Sequence, residues 1–183
     1  ESRDRPSGRA LGDGELNATA LVSIPGGVVV ERHKATSQWI DFVWRPVSAL
    51  TGVPSATPWT PLGQTGDVTT FYAGAANIEL HRTETANYIS NLESGAPLLW
   101  VVLQPTGTEP PYELMTVTAD PAEGEASTEA GNNLVETVAM PDSIAEALEA
   151  FIAEHHVERP FFKRQRDRSE RPAGRKGGGE GAQ

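Results

Sequence analysis

Leu98-Leu99-Trp100-Val101-Val102-Leu103-Gln104 is the stretch on which the fold of this chain turns. Six consecutive apolar residues are too few for a buried helix, and Gly95 and Pro97 on one side and Pro105 and Gly107 on the other close the run. It is predicted as a strand at the centre of a sheet. The turn over residues 106–111 then brings residues 112–118 back beside it as an antiparallel partner. The same run falls far short of the roughly 20 residues that a membrane-crossing helix needs.

Toward the C-terminus, residues 121–130 can form a short acidic helix and residues 134–139 a further strand. Ile144, Ala147, Leu148, Phe151, Ile152 and His155 then recur at helical spacing and make one apolar stripe. Pro141 suits the first helical position, and Asp142, Ser143 and Glu146 lie toward the positive end of the helix. Pro160 blocks its continuation. Toward the N-terminus, Val28-Val29-Val30 and residues 39–47 read as two strands joined by a hairpin around residues 35–38. Pro46, without an amide proton, marks an edge, a bulge or a strand end.

Residues 51–67 carry three prolines and three glycines and are expected to form the longest internal loop. Trp59 lies within it, either pinning the loop to the domain or contacting a partner. Residues 68–73 and 77–81 read as a second hairpin around Gly74-Ala75-Ala76. Residues 83–93 read as a strand, because Thr83, Thr85 and Asn91 disfavour a helix interior. The early strands lack crossover helices, which disfavours an open parallel α/β fold. The resulting expectation is an α+β domain over residues 21–162. In it, an antiparallel, strongly curved or barrel-like sheet is capped by the C-terminal amphipathic helix. Residues 1–20 are expected as an extended N-terminal arm and residues 163–183 as a basic, Gly-rich tail.

The chain has 183 residues, no cysteine and a net charge of -10. Without sulfur there is no thiolate cluster, cysteine nucleophile or disulfide in this polypeptide. The charge is unevenly placed: residues 1–157 carry seven basic and 21 acidic residues, and residues 158–183 carry eight basic and four acidic ones. An acidic body of -14 repels phosphate backbones and anionic lipid, so a nucleic-acid role would rest on the tail of +4 alone. Nothing in residues 1–20 resembles the apolar block of a secretory signal, and the expected location is the cytoplasm.

Chemistry-bearing residues are sparse. Glu79, His81 and Thr83 would share one face of a strand, yet two ligands do not specify a metal site. His155 and His156 are adjacent on a helix and point about 100° apart. There is no Gly-x-Ser-x-Gly elbow, dinucleotide fingerprint or phosphate-binding loop. No cofactor, metal or catalytic residue is assigned. The densest functional signal is Phe161-Phe162-Lys163-Arg164-Gln165-Arg166-Asp167-Arg168. Two rings can fill an apolar pocket while spaced guanidinium groups pair with surrounding carboxylates. The expected partner-binding residues are Trp59, Phe161, Phe162, Lys163, Arg164, Arg166 and Arg168. A nucleic-acid-binding module built on the same tail is the alternative from another class.

Several segments in shared order carry a family resemblance. They are Ile24-Pro25-x-Gly27-Val28-Val29-Val30-Glu31-Arg32, Trp44-Arg45-Pro46-Val47, Glu79-Leu80-His81-Arg82-x-Glu84-Thr85 and Tyr88-x-x-Asn91-Leu92-Glu93. The Leu98-to-Leu103 run, Met140-Pro141 and His155-His156-Val157-Glu158-x-Pro160-Phe161-x-Lys163-Arg164 complete the set. In these the chain resembles an uncharacterised bacterial family of small proteins encoded beside molybdenum- or tungsten-dependent formate dehydrogenases. The resemblance implies a non-catalytic accessory or structural subunit that binds the catalytic, molybdopterin- and iron–sulfur-containing subunit in a hetero-oligomer. A maturation chaperone for that subunit is the alternative it leaves open.

Overall fold

A computed structural model describes residues 21–158. Seven strands and three helices follow in the order β1 (Val22–Lys34), β2 (Phe42–Thr51), β3 (Thr60–Thr65), β4 (Val68–Leu80), α1 (Thr85–Glu93), β5 (Leu98–Pro105), β6 (Tyr112–Thr118), α2 (Pro121–Glu129), β7 (Leu134–Ala139) and α3 (Asp142–His155), with a 3-10 turn over Arg82–Glu84 before α1. The strands form two antiparallel sheets, ordered β2-β1-β4-β3 and β6-β5-β7.

This corrects the expectation of one strongly curved or barrel-like sheet. Both sheets are open, and no backbone ladder joins them among the described residues. Proline offers a physical reason at the edges of the larger sheet. Pro46 lies on edge strand β2 beside a register shift, and Pro61 lies on edge strand β3 beside another. A residue without an amide proton cannot extend a ladder outward. The α+β class and the C-terminal helix stand.

Strand β5 explains its own composition. Leu99, Val101 and Leu103 join the main core, with Val138 from β7 and Val117 from β6. On the opposite face Trp100 meets Gly124 of α2 so closely that a Cβ on that glycine would overlap the ring. A strand covered on both faces needs no alternation, so its apolar run is continuous. Each fully buried Leu or Val there contributes about 1.5–3 kcal/mol.

Helix α3 buries Ile144, Leu148 and Phe151, the stripe expected from its spacing. Pro141 is its N-cap rather than its first residue, and its carbonyl accepts from the amides of Ile144 and Ala145, both at 3.0 Å. Phe151 meets Tyr88 of α1 edge to face, with centroids 6.2 Å apart. Asp120 caps α2, its Oδ1 accepting from the Ala122 amide at 2.9 Å.

Three further readings are corrected. Residues 83–93 are a 3-10 turn and helix α1, not a strand. Thr85, Tyr88 and Asn91 fall three apart and are buried together. Asn91 earns its interior place by bonding to other segments: its Nδ2 donates to the carbonyls of Leu98 and Ala119 at 2.8 and 2.9 Å. Its Oδ1 accepts from the Leu98 amide at 2.9 Å. Residues 68–80 are one strand, not a hairpin: Gly74, at φ 131°, sits at a register shift opposite Val28, and β1 pairs on both sides of it. The expected loop over residues 51–67 contains β3, an edge strand that returns into β4 through Gly66 at φ 58°.

Candidate functional site

Of the residues expected to bind a partner, Phe161, Phe162, Lys163, Arg164, Arg166 and Arg168 lie outside the described residues. Trp59 is half-buried and packs against the core. Its ring stands edge-on to Trp44 at 5.6 Å and to Phe71 at 6.1 Å, and Trp44 also meets Tyr112 at 6.3 Å. Trp59 has φ 67°, a left-handed backbone that costs a bulky residue on the order of 1–3 kcal/mol. The aromatic contacts and the hydrogen bond that the Trp59 amide donates to the Tyr72 carbonyl hold it there. It thus pins the segment leading into β3 to the larger sheet, and it also lines a cavity of about 360 Å³ with Pro58, Pro110 and Tyr112.

The histidines fall into separate settings. His81 follows β4, and its Nε2 lies 3.9 Å from Glu79 Oε2 on the wall of a cavity of about 370 Å³. Glu123 lines the same cavity, its Oε2 accepting from the Thr118 hydroxyl at 2.6 Å. Beneath it Tyr88 is 1% exposed, and its Oη accepts from the His81 amide at 3.0 Å. Burial pushes the Tyr88 phenol up to about 12; the carboxylates of Asp120, Glu84 and Glu123 add to the rise and the His81 hydrogen bond opposes it. Tyr88 is therefore a packed, protonated hydroxyl near neutral pH.

His155 packs on the Phe151 ring at 4.6 Å, with its Nε2 3.7 Å from Glu154 Oε2. His156 has its Nδ1 3.0 Å from the Thr85 hydroxyl. The two imidazoles do not converge on one point with a carboxylate. Among the described residues no group of three or more His, Cys, Asp or Glu could hold a metal ion.

The surface that sequence reasoning missed is the tip of the β1–β2 hairpin. Trp39 is 85% exposed, Ile40 53%, and Phe42 and Val43 43% each. Exposed apolar patches are a common feature of interaction surfaces, and Trp is among the residues enriched in binding hot spots. Beside them the Arg32 guanidinium lies 4.4 Å over the Phe42 ring, 5.3 Å from Phe71 and 5.7 Å from Trp44. Its Nη2 donates to the Thr69 hydroxyl at 3.4 Å, while its Nε is buried without a partner. Arg32 and Phe42 also line a cavity of about 400 Å³ with Lys34, Asp41 and Asp67.

The sequence did contain a signal for this tip. Trp39 and Ile40 directly follow Thr36-Ser37-Gln38, with Phe42 beyond Asp41, and a pleated strand cannot turn both members of the pair Trp39-Ile40 to one core. Reading residues 39–47 as a single strand hid it. The structure starts β2 only at Phe42 and leaves Trp39 and Ile40 in the connection.

Among the described residues no helix is long and apolar enough to cross a membrane. No curated protein and no solved structure matches the chain. The family model described as "Protein of unknown function (DUF3305)" matches residues 25–166, and the chain belongs to that family.

Proposed function

We propose that this protein is a non-catalytic accessory subunit that docks onto and stabilises a formate dehydrogenase in the cytoplasm, using the β1–β2 tip as its principal contact. The observation that carries the docking reading is the apolar group Trp39, Ile40, Phe42 and Val43, exposed beside a guanidinium that is stacked on rings. A partner that covers these side chains removes apolar area from water at about 25 cal/mol per Å². The resemblance noted from the sequence supplies the partner: the catalytic subunit that carries the molybdopterin and iron–sulfur centres. Phe161, Phe162, Lys163, Arg164, Arg166 and Arg168 are proposed, on sequence grounds, as a second anchor.

The test is purification of the dehydrogenase from cells with and without this protein. The subunit reading expects this chain to co-purify with active, metal-loaded enzyme, and the enzyme to lose thermal stability without it. An unchanged complex would sink that reading. Association with the cofactor-free catalytic subunit alone would replace it with the maturation-chaperone alternative.

A further inference from the structure

Between the start of α1 and the end of α3 lies a cavity of about 530 Å³ lined by Arg82, Thr83, Thr85, Ala86, His155, His156 and Val157. We propose that it binds an oxyanion of the phosphate class carried on a small molecule. The central observation is a reversal of charge. Residues 21–158 hold 18 Asp and Glu against four Lys and Arg, yet no carboxylate lines this cavity. Its lining instead offers one guanidinium, two imidazoles and two hydroxyls. The cavities at Glu79 and Glu123 and at Asp41 and Asp67 are smaller, about 370 and 400 Å³, and each has two carboxylates on its wall.

The fold brings these groups together from two places about 70 residues apart in the chain. Arg82 is the only Lys or Arg between residues 46 and 158. The ion pairs found among the described residues all belong to histidines, so the Arg82 guanidinium has no carboxylate within 4.0 Å there. The contact of His156 Nδ1 with the Thr85 hydroxyl fixes that ring against α1, and its Nε2 has no hydrogen-bond partner among the described residues. Three carboxylates adjoin the lining residues in sequence, those of Glu84, Glu154 and Glu158. Glu84 Oε2 accepts from Asn87 at 3.1 Å, and Glu154 Oε2 lies 3.7 Å from His155 Nε2. A planar guanidinium and imidazole N–H groups are the donors that suit phosphate oxygens. The volume lies within the range of small-molecule pockets and exceeds what a bare ion fills.

The proposal stands apart from the docking reading and is tested apart from it. Isotope-labelled full-length protein at pH 6.0 is titrated with inorganic phosphate and then with phenyl phosphate. Sodium chloride at matched ionic strength is the control. Saturable shifts are expected at Thr83, Thr85, Ala86, His155 and His156, with phenyl phosphate binding the tighter of the two. Arg82→Gln, an exposed position, should weaken binding by about tenfold or more, as loss of a charged hydrogen bond does. His156→Gln offers an amide to Thr85 in place of the ring nitrogen and should weaken it by a smaller factor. Shifts that do not saturate, shifts of equal size around Arg32 and Arg45, or unchanged binding in Arg82→Gln would overturn the site. Weaker binding of phenyl phosphate than of phosphate would overturn its assignment to a small organic ligand.

Discussion

The two sheets divide the labour of the molecule. The four-stranded sheet and its connections, residues 21–82, contain ten of the twelve large apolar side chains left exposed, and all four Lys and Arg of residues 21–158. The half built from β5, β6, β7 and the three helices, residues 83–158, exposes only Met115 and Val157 and carries 14 acidic residues with no Lys or Arg. In the second half apolar surface is spent inward, on both faces of β5, and charge is turned to solvent. In the first half apolar surface is left out at the hairpin tip, next to a guanidinium. Unmatched negative charge keeps a surface from self-association and nonspecific contact, and the docking surface proposed above lies on the charge-balanced half.

If this division holds, substitutions in the second half should cost stability and substitutions at the tip should cost binding. The largest expected effect is at Asn91. Its replacement by Ala removes the partners of the Leu98 amide and of the Leu98 and Ala119 carbonyls and leaves a void, for a loss of about 3–5 kcal/mol in urea unfolding. A loss below about 1 kcal/mol would mean that α1 is not locked to β5.

Tyr88 gives the next effect, and its sign follows from the raised phenol. Below pH 10 the hydroxyl is protonated in folded and unfolded chains alike, so its contribution is intact. Between pH 10 and about 12 the unfolded chain loses its proton first, and stability falls by about 2–3 kcal/mol, the loss being complete above the folded value. Unfolding measured at pH 9 and pH 12 should show this decline in the native protein and a smaller one in Tyr88→Phe. Equal slopes in the two proteins would contradict the buried-phenol account. Gly124→Ala comes third, at about 1–3 kcal/mol, because its methyl group must displace either α2 or Trp100.

At the tip the expectation inverts. Trp39→Ala should change stability by no more than about 0.5 kcal/mol, because an 85%-exposed ring has little folded-state packing to lose. A loss above 1 kcal/mol would show that the tip belongs to the fold and not to recognition.

The same division governs what could be read from the chain. The second half was largely legible: the runs of β5, β6 and β7 and the stripe of α3 follow from local periodicity, because each element is buried by its own pattern. Its exception was α1, where Thr85 and Asn91 oppose a helix on propensity but are retained by bonds to distant segments. The first half was less legible. Gly74 looks like a turn and is a register shift in a long strand, since only the length of β1 decides which. Pro61 and Gly63 hide β3, which as an edge strand pairs with β4 alone. The split into two sheets depends on which edges stay unpaired, and that is a property of tertiary packing. The site was hardly legible. Trp59, expected either to pin its loop or to contact a partner, packs against Trp44 and Phe71 while also lining a cavity, and the most exposed ring, Trp39, was read as part of a strand.

Under the proposed function, a partner protein covers the side chains that this tip exposes. Co-expression of the dehydrogenase with the native chain or with the double substitution Trp39→Ala and Ile40→Ser, followed by native mass spectrometry of the purified enzyme and thermal unfolding of each free chain, tests it directly. The account expects the variant to drop out of the complex by tenfold or more, the scale of losing a binding hot spot worth about 2 kcal/mol, while its own unfolding midpoint stays at the native value. A variant that unfolds normally and remains in the complex at the native stoichiometry would contradict it.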